Sequence, residues 1–544
     1  MRTTGQFIVD FLVLNGIDRA YCVPGESFLP VLDALSESGI DTITARHESA
    51  AGFMAVADAR QTGRPGVVLV SRGPGATNAS IAVHTAQQDG VPLILFVGQV
   101  DRRNLRRDGF QEIDYAGMFG GIAKWTAEVA DARDLPQILS RAFNTAIAGT
   151  PGPVVVSLPE DVLTDPVPAS AGSMRPTRRA LSHPAPQAVA QTAAMLRASS
   201  RPLLLAGMEF ESERGRAVLR EFAERHALPV MVSFRRHDLF PNTHPLYAGD
   251  MGVSNTPEQL SLLATADLIL ALGTRLGDST THGYTLPASP CPGQKLVHVY
   301  DDASVLGRHY RPELAVACAA PDFLEALSKQ ECSSAGAESR KQWAARLHDV
   351  LATQNAFTFG TRPDGVVFRN VVHELSRLAG PQTSVVLDAG ISAALVYRYF
   401  PFAPPQRMFV TMAGVMGFGV PGAVSVALRE PGRKVICVLG DGGFMMTGNE
   451  LAIAVERRLD ICVVLANNRS LGTIRYYQER DFPGRPYATA LAGPDFAETA
   501  KAFGCAALRI DAEEDVRPRL AQALGMRGPV LVEVKTSLQA ALPA

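Results

Sequence analysis

The stretch GDGGFMMTGNELAIAVERRLDICVVLANN, residues 440–468, decides the fold. An apolar run, KVICVL (434–439), leads directly into its glycines. Short Val/Ile/Leu runs of this kind are how strands buried on both faces of a parallel sheet read. GNELAIAVERRLD then sets Leu451, Val455 and Leu459 at helical spacing, and ICVVLANN is a second strand. The unit is β-turn-α-β, so both strand ends lie at one sheet edge, where open α/β sheets bind ligands. Asp441 and Asn468 are therefore expected to meet in space. A carboxylate, an amide oxygen and a nearby backbone carbonyl form a hard oxygen shell suited to Mg²⁺, which keeps phosphates and water as its other ligands. Gly442 and Gly443 admit phosphate oxygens to backbone N–H groups as the helix begins. The stretch predicts a magnesium diphosphate clamp. The rival, a dinucleotide fingerprint, would need glycine at 445, where Met445 stands.

Working outward, further runs of strand length occur at 66–70, 92–98, 153–159, 201–207, 267–273, 295–300, 384–390 and 530–534, each followed by glycine or a polar turn. The fold class is α/β, with three domains each built on a mostly parallel sheet flanked by helices. A chain of 544 residues exceeds the ~250–300 at which one core stops growing, which agrees with several domains. Residues 160–190 are rich in Pro, Ser and Ala, and residues 330–365 carry mixed charge, so both read as connections. The expected domains are 1–165, 190–330 and 362–544. No short tandem repeat is present, and any likeness between the first and third domains is one of fold.

Hydrophobic residues make up 47% and charged residues 19%, a globular balance. A net charge of -2 offers no footprint for nucleic acid or an anionic membrane, which leaves small molecules and other protein chains as expected partners. The seven cysteines are scattered without a C-x-x-C pair, so a cytoplasmic setting is expected. Residues 1–16 read as an amphipathic helix and not a signal peptide, and no apolar run reaches the ~18 residues of a membrane span.

With GDG followed about two dozen residues later by NN, the chain resembles the thiamine-diphosphate-dependent enzymes. Within them it is most similar to the acetolactate synthase and pyruvate oxidase group. The likeness runs through VPGESFLPVLDAL, RHESAAGFMAVADAR, SRGPGATN, DGVPLILFVGQ, FQEIDYAGMF, AGVMGFGVPGA and NNRSLGTIRYYQ, and so covers nearly the whole chain. It implies an N-terminal pyrimidine-binding, a central nucleotide-binding-like and a C-terminal diphosphate-binding domain. It also implies thiamine diphosphate and Mg²⁺ as cofactors. Asp441 and Asn468 would be the side-chain metal ligands, and the carbonyl of Ser470 the third. Gly442, Gly443, Gly390 and Ser392 would surround the diphosphate, with Leu471 and Gly472 beside it. Gly414 would offer its carbonyl to the cofactor's 4'-amino group, and Met416 would wedge the two rings into a V. Glu48 matches the catalytic glutamate, whose hydrogen bond to the pyrimidine promotes the imino tautomer. Pro74 and Asn78 would lie near the cofactor, and Gln111 would face the substrate carbonyl or the cofactor amine. Because such enzymes place this glutamate on one subunit and the diphosphate site on its neighbour, a homodimer or tetramer is implied.

The pocket departs from acetolactate synthase at two places. Tyr477 stands where that enzyme carries a tryptophan. Ser279 ends TRLGDS where an arginine grips the second substrate, and a serine makes no bidentate pair with a carboxylate. Arg275, Arg475, His84 and His282 are charged alternatives, although such residues are more often structural. LLLAGMEF leaves room for FAD or ADP in the central domain, with no specific motif for either. The resemblance implies an enzyme that decarboxylates a 2-keto acid and transfers the acyl-anion equivalent to a second carbonyl. A thiamine-dependent decarboxylase or hydroxyketone lyase is the alternative. A non-catalytic cofactor-binding regulatory protein is more distant, since it has no chemical need for Glu48, and a nicotinamide-dependent oxidoreductase is more distant still.

Overall fold

The computed structural model describes residues 2–168, 175–180, 182–252, 254–331 and 337–542. Three six-stranded parallel sheets organise them. The first contains β1 (Arg19–Cys22), β2 (Asp41–Thr44), β3 (Gly66–Val70), β4 (Leu93–Gln99), β5 (Trp125–Glu128) and β6 (Pro153–Pro159), in the order β2-β1-β3-β4-β6-β5. The second contains β7 (Pro202–Ala206), β8 (Val230–Ser233), β9 (Tyr247–Met251), β10 (Leu268–Leu272), β11 (Lys295–Val299) and β12 (Leu314–Val316), in the order β12-β11-β10-β7-β8-β9. The third contains β13 (Ser384–Leu387), β14 (Arg407–Phe409), β15 (Val435–Gly440), β16 (Ile461–Asn467), β17 (Ala506–Ile510) and β18 (Val530–Lys535), in the order β14-β13-β15-β16-β18-β17.

The first and third sheets thus share one topology, and in each the strand order reverses beside the first strand. Such a switch point opens a crevice at the carboxyl ends of the flanking strands. In the third sheet those strands are β13 and β15, and Gly440 of β15 pairs with Ala466 of β16. That register brings the residues after each strand to a common edge.

The outer sheets also share a core. The helix Glu48–Thr62, buried along most of its length, packs on the helix Gly419–Arg429. Phe53 meets Phe418 edge-on at 6.0 Å, and the buried Tyr21 hydroxyl lies 3.0 Å from Ser425 Oγ. Where all three domains meet, Arg60, Arg236 and Glu211 form a buried ion cluster. Burial opposes ionisation of Glu211, yet Arg60, Arg236 and Arg407 hold its carboxyl at about 2.

One connection differs from the sequence reading. Within 330–365 the chain folds a helix, Ala337–Gln354, against the second sheet. Trp343, Leu347 and Leu351 recur every four residues and are buried in that sheet's core, so an apolar stripe was hidden among the charges. Parts of both expected connections, residues 169–174, 181 and 332–336, lie outside the described residues.

Candidate active site

A cavity of about 610 Å³ opens at the carboxyl edge of the third sheet. Its walls include Asp441, Gly442 and Gly443 after β15, and Asn468, Ser470, Leu471 and Gly472 after β16. Gly390 and Ser392 after β13 and the loop residues Gly414 and Met416 complete the set anticipated from the C-terminal domain. The glycine turn is itself helical: the helix Asp441–Thr447 starts at the carboxylate, earlier than the periodicity of GNELAIAVERRLD suggests. A second helix, Ile391–Tyr399, begins at the cavity with Gly390 as its cap, at φ 133.

Asp441 is 4% exposed. Burial raises its carboxyl above the ordinary range, and only backbone donors at Gly442, Arg469, Ser470 and its own N–H offset this. A buried carboxylate without a cationic partner suits a metal ion. The two asparagines divide their work. Asn467 Nδ2 donates to Glu533 at 2.7 Å and anchors the strand end, whereas Asn468 turns to the cavity and its Oδ1 accepts from Ser470 N at 3.0 Å. The Ser470 carbonyl accepts from Gly472 N at 2.8 Å and keeps a second lone pair. Among the described residues no group of three His, Cys, Asp or Glu side chains could hold a metal. One carboxylate with neutral oxygens fits Mg²⁺ that takes its other ligands from a diphosphate and water.

The glycines are required by close approach. A Cβ at 442 would lie 3.0 Å from Leu471 and 3.2 Å from Met416 Cε, so Met416 packs directly over the glycine. A Cβ at 443 would lie 3.0 Å from the carboxylate of Asp388.

Asp388, at the end of β13, was not anticipated. It is 1% exposed and accepts from Gly417 N at 2.9 Å and Gly419 N at 2.8 Å. Burial pushes its carboxyl up to about 6 against donors at Gly419, Ala389 and Gly417. With Thr447 Oγ1 donating to Gly417 O at 2.6 Å, it fixes the loop that carries Gly414 and Met416. An aspartate closing the apolar run Val385–Leu387 and followed by Ala-Gly was the available signal.

The N-terminal residues form a separate group. Glu48 begins the helix Glu48–Thr62, capped by His47, and its Oε2 accepts from Asn78 Nδ2 at 2.9 Å. Pro74 and Asn78 share an exposed face of the helix Arg72–Asp89. Gln111 has φ 63, and its carbonyl accepts from Gly73 N at 2.9 Å. None of these four lines the cavity of its own chain. Nor does Tyr477: the helix Gly472–Asp481 turns Tyr476 to the cavity and leaves Tyr477 46% exposed beside Arg480. Adjacent helical residues differ in direction by about 100°, which accounts for the exchange.

The other charged alternatives have local roles. Arg475 pairs with Glu479, His282 Nε2 lies 2.8 Å from Asn255 Oδ1, Arg275 donates to Gln88 O, and His84 is exposed. At the switch point of the second sheet, a Cβ on Gly207 would lie 2.2 Å from Gly273 O. Nearby, the buried Glu209 takes the N–H groups of Asp301 and Ala320, at 2.9 Å each. A carboxylate thus occupies two backbone donors at this crevice, and no specific motif there supports FAD or ADP.

Comparison with known proteins agrees with this geometry. The model of the thiamine pyrophosphate enzyme N-terminal TPP binding domain matches residues 2–118, that of the central domain 189–327, and that of the C-terminal TPP binding domain 388–534. The chain is 33% identical to the acetolactate synthase isozyme 1 large subunit of Escherichia coli (strain K12), over 98% of this chain and 94% of that protein. It is 32% identical to the isozyme 3 large subunit of the same organism, over 96% and 92%. Identity to the acetolactate synthase large subunit of Haemophilus influenzae is 30%, over 97% and 93%. The chain belongs to the thiamine pyrophosphate enzyme family.

Proposed function

We propose that the chain is an acetolactate synthase-like enzyme that decarboxylates a 2-keto acid and transfers the acyl-anion equivalent to a second carbonyl. The observation that carries this reading is the cavity wall in which Asp441, Asn468 and Ser470 converge with the glycines at 390, 442 and 443. Similarity to acetolactate synthases along nearly the whole chain supports it. Thiamine diphosphate, when bound, supplies the carbon nucleophile and the electron sink.

The protein's own groups hold and orient. Asp441, Asn468 and the Ser470 carbonyl would hold Mg²⁺, and the N–H groups at the starts of two helices would receive the diphosphate. Met416, packed over Gly442, would support the cofactor, and Gly414 would present its carbonyl to it. Glu48 holds the proton that activates the cofactor, kept in line by Asn78.

Glu48 lies outside its own chain's cavity, so this reading requires a second chain to supply it. The homodimer is therefore part of the proposal. Apolar side chains beside both halves of the site support it: Ile81, one turn from Asn78, is 38% exposed, and Met445, one turn from Asp441, is 58% exposed. A cytoplasmic setting belongs to the same proposal, supported by free, mostly buried cysteines among the described residues. No helix among them is long and apolar enough to cross a membrane.

Mixing two inactive variants tests the arrangement. Glu48→Gln and Asp441→Ala chains, co-refolded in equal amounts, should form hybrid dimers with one intact site each and recover roughly a quarter of the parental activity. No recovery, with hybrid dimers present, would refute a site shared between chains.

A further inference from the structure

We propose that Arg235, contributed by the second domain, grips the substrate carboxylate that survives into the product. The inference rests on the function proposed above and assigns that site a specificity-determining residue.

Arg235 is the one cavity-lining residue that comes from the second sheet's domain. It follows β8 with φ 60, a left-handed conformation that a branched or long side chain rarely adopts without a local reason. Its guanidinium packs on the ring of Phe234, with Cζ 4.7 Å from the centroid, and donates to Thr411 O. A Cβ built on Gly414 would lie 3.3 Å from Nη1 and 3.4 Å from Nη2. The cation therefore stands against the backbone of Gly414, next to the reacting end of the cofactor in the arrangement above.

The arginines packed around Arg235 are neutralised and Arg235 is not. Among the described residues the cavity's other arginines, Arg369 and Arg398, also lack a carboxylate partner, but they donate to Thr358 O and Gln354 O, and only Arg235 stands against Gly414. Arg60 and Arg236 pair with Glu211, and Arg216 and Arg407 pair with Asp238. Among the described residues no carboxylate lies within ion-pair distance of Arg235, and its buried Nε has no hydrogen-bond partner. A half-buried guanidinium with free donors and no counter-ion, facing a substrate cavity, selects an anion. The chemistry identifies which anion. Loss of CO₂ requires electron flow out of the departing carboxylate, and a guanidinium bound to that group would oppose it. The carboxylate suited to Arg235 is one that does not leave, that of the acceptor 2-keto acid.

The test is binding of a carboxylate and of its uncharged ester in a background that cannot turn over. Pyruvate and methyl pyruvate are titrated by calorimetry into Glu48→Gln protein loaded with Mg²⁺ and hydroxyethylthiamine diphosphate, which fills the donor position, with and without Arg235→Met or Arg235→Lys. Arg235→Met should weaken pyruvate binding at least tenfold and leave methyl pyruvate unchanged, and Arg235→Lys should restore part of the loss. Unchanged pyruvate affinity, or a parallel loss for both ligands, overturns the assignment. Failure of the underlying enzyme reading is distinct: it appears as no turnover of pyruvate by the Glu48 protein, whatever the calorimetry shows.

Discussion

The carboxylate of Glu450 accepts the backbone N–H of Arg46 through both oxygens, at 3.0 and 3.2 Å, across 404 residues of sequence. Glu450 follows the helix that starts at Asp441, and Arg46 precedes Glu48 by two residues. One buried acid therefore ties the start of the Glu48 helix to the C-terminal domain of the same chain. Burial pushes this carboxyl up to about 7 from an ordinary 4.5, against the pull of the Arg46 N–H and side chain.

A pH dependence follows. A raised folded pKa means that the native state holds the proton more tightly than the unfolded chain. The stabilisation is full below about 4.5 and is lost as pH rises through about 7. Glu450→Gln keeps an acceptor and removes the titration, so the difference in stability between variant and parent should shift in the variant's favour between pH 4.5 and 7. Thermal melts of both proteins across that range measure it. A constant difference would contradict the buried environment assigned to Glu450.

Asp388 predicts a different failure. Removing its carboxylate strands the buried donors of Gly417 and Gly419, and an unsatisfied buried donor costs about 1–3 kcal/mol. Asp388→Ala should lower the melting temperature and weaken thiamine diphosphate binding by more than tenfold, because the loop carrying Gly414 and Met416 loses its anchor. Asp388→Asn, which retains one acceptor oxygen, should do less on both counts.

Two glycines three positions apart should respond unequally to a methyl group. At Gly443 a Cβ meets the carboxylate of Asp388 at 3.0 Å, and Asp388 is locked by its own donors. At Gly440 the nearest atom is Ala466 O at 4.0 Å. Gly443→Ala should destabilise the protein by about 1–3 kcal/mol, the usual range for overpacking. Gly440→Ala should be near neutral in the same denaturation experiment.

Metal and cofactor removal gives a further check. Asp441 is destabilised by burial while it has no cation, so Asp441→Asn should raise the stability of the metal-free protein at neutral pH. In the parent, thiamine diphosphate and Mg²⁺ at about a hundred times the dissociation constant should stabilise by ~2.7 kcal/mol. That gain should disappear in Asp441→Asn. Calorimetric melts with and without the cofactors separate the two effects.

Legibility followed burial and sequence separation. Long strands inside the sheets, such as β4 and β6, are buried throughout and announce themselves as apolar runs, whereas β8, buried just as fully, has only four residues and escapes such a reading. The edge strands β5 and β17 do not: β5 is half-buried along its length and β17 nearly so, which leaves little pattern to read. Asp441 and Asn468 were readable because parallel strands must end at one edge. Asp388, Glu450 and Arg235 act through partners that only folding brings near; no local motif marks Glu450 or Arg235, and Asp388 is marked only by the strand end it closes. Tyr476 and Tyr477 differ by one helical step, which a match of sequence does not resolve.

The most direct test of the central claim is product identification from pyruvate with thiamine diphosphate and Mg²⁺ present. The proposed function predicts acetolactate, formed as pyruvate is consumed and lost in Glu48→Gln. Acetaldehyde as the sole product, or no consumption of any 2-keto acid by cofactor-loaded protein, would contradict it.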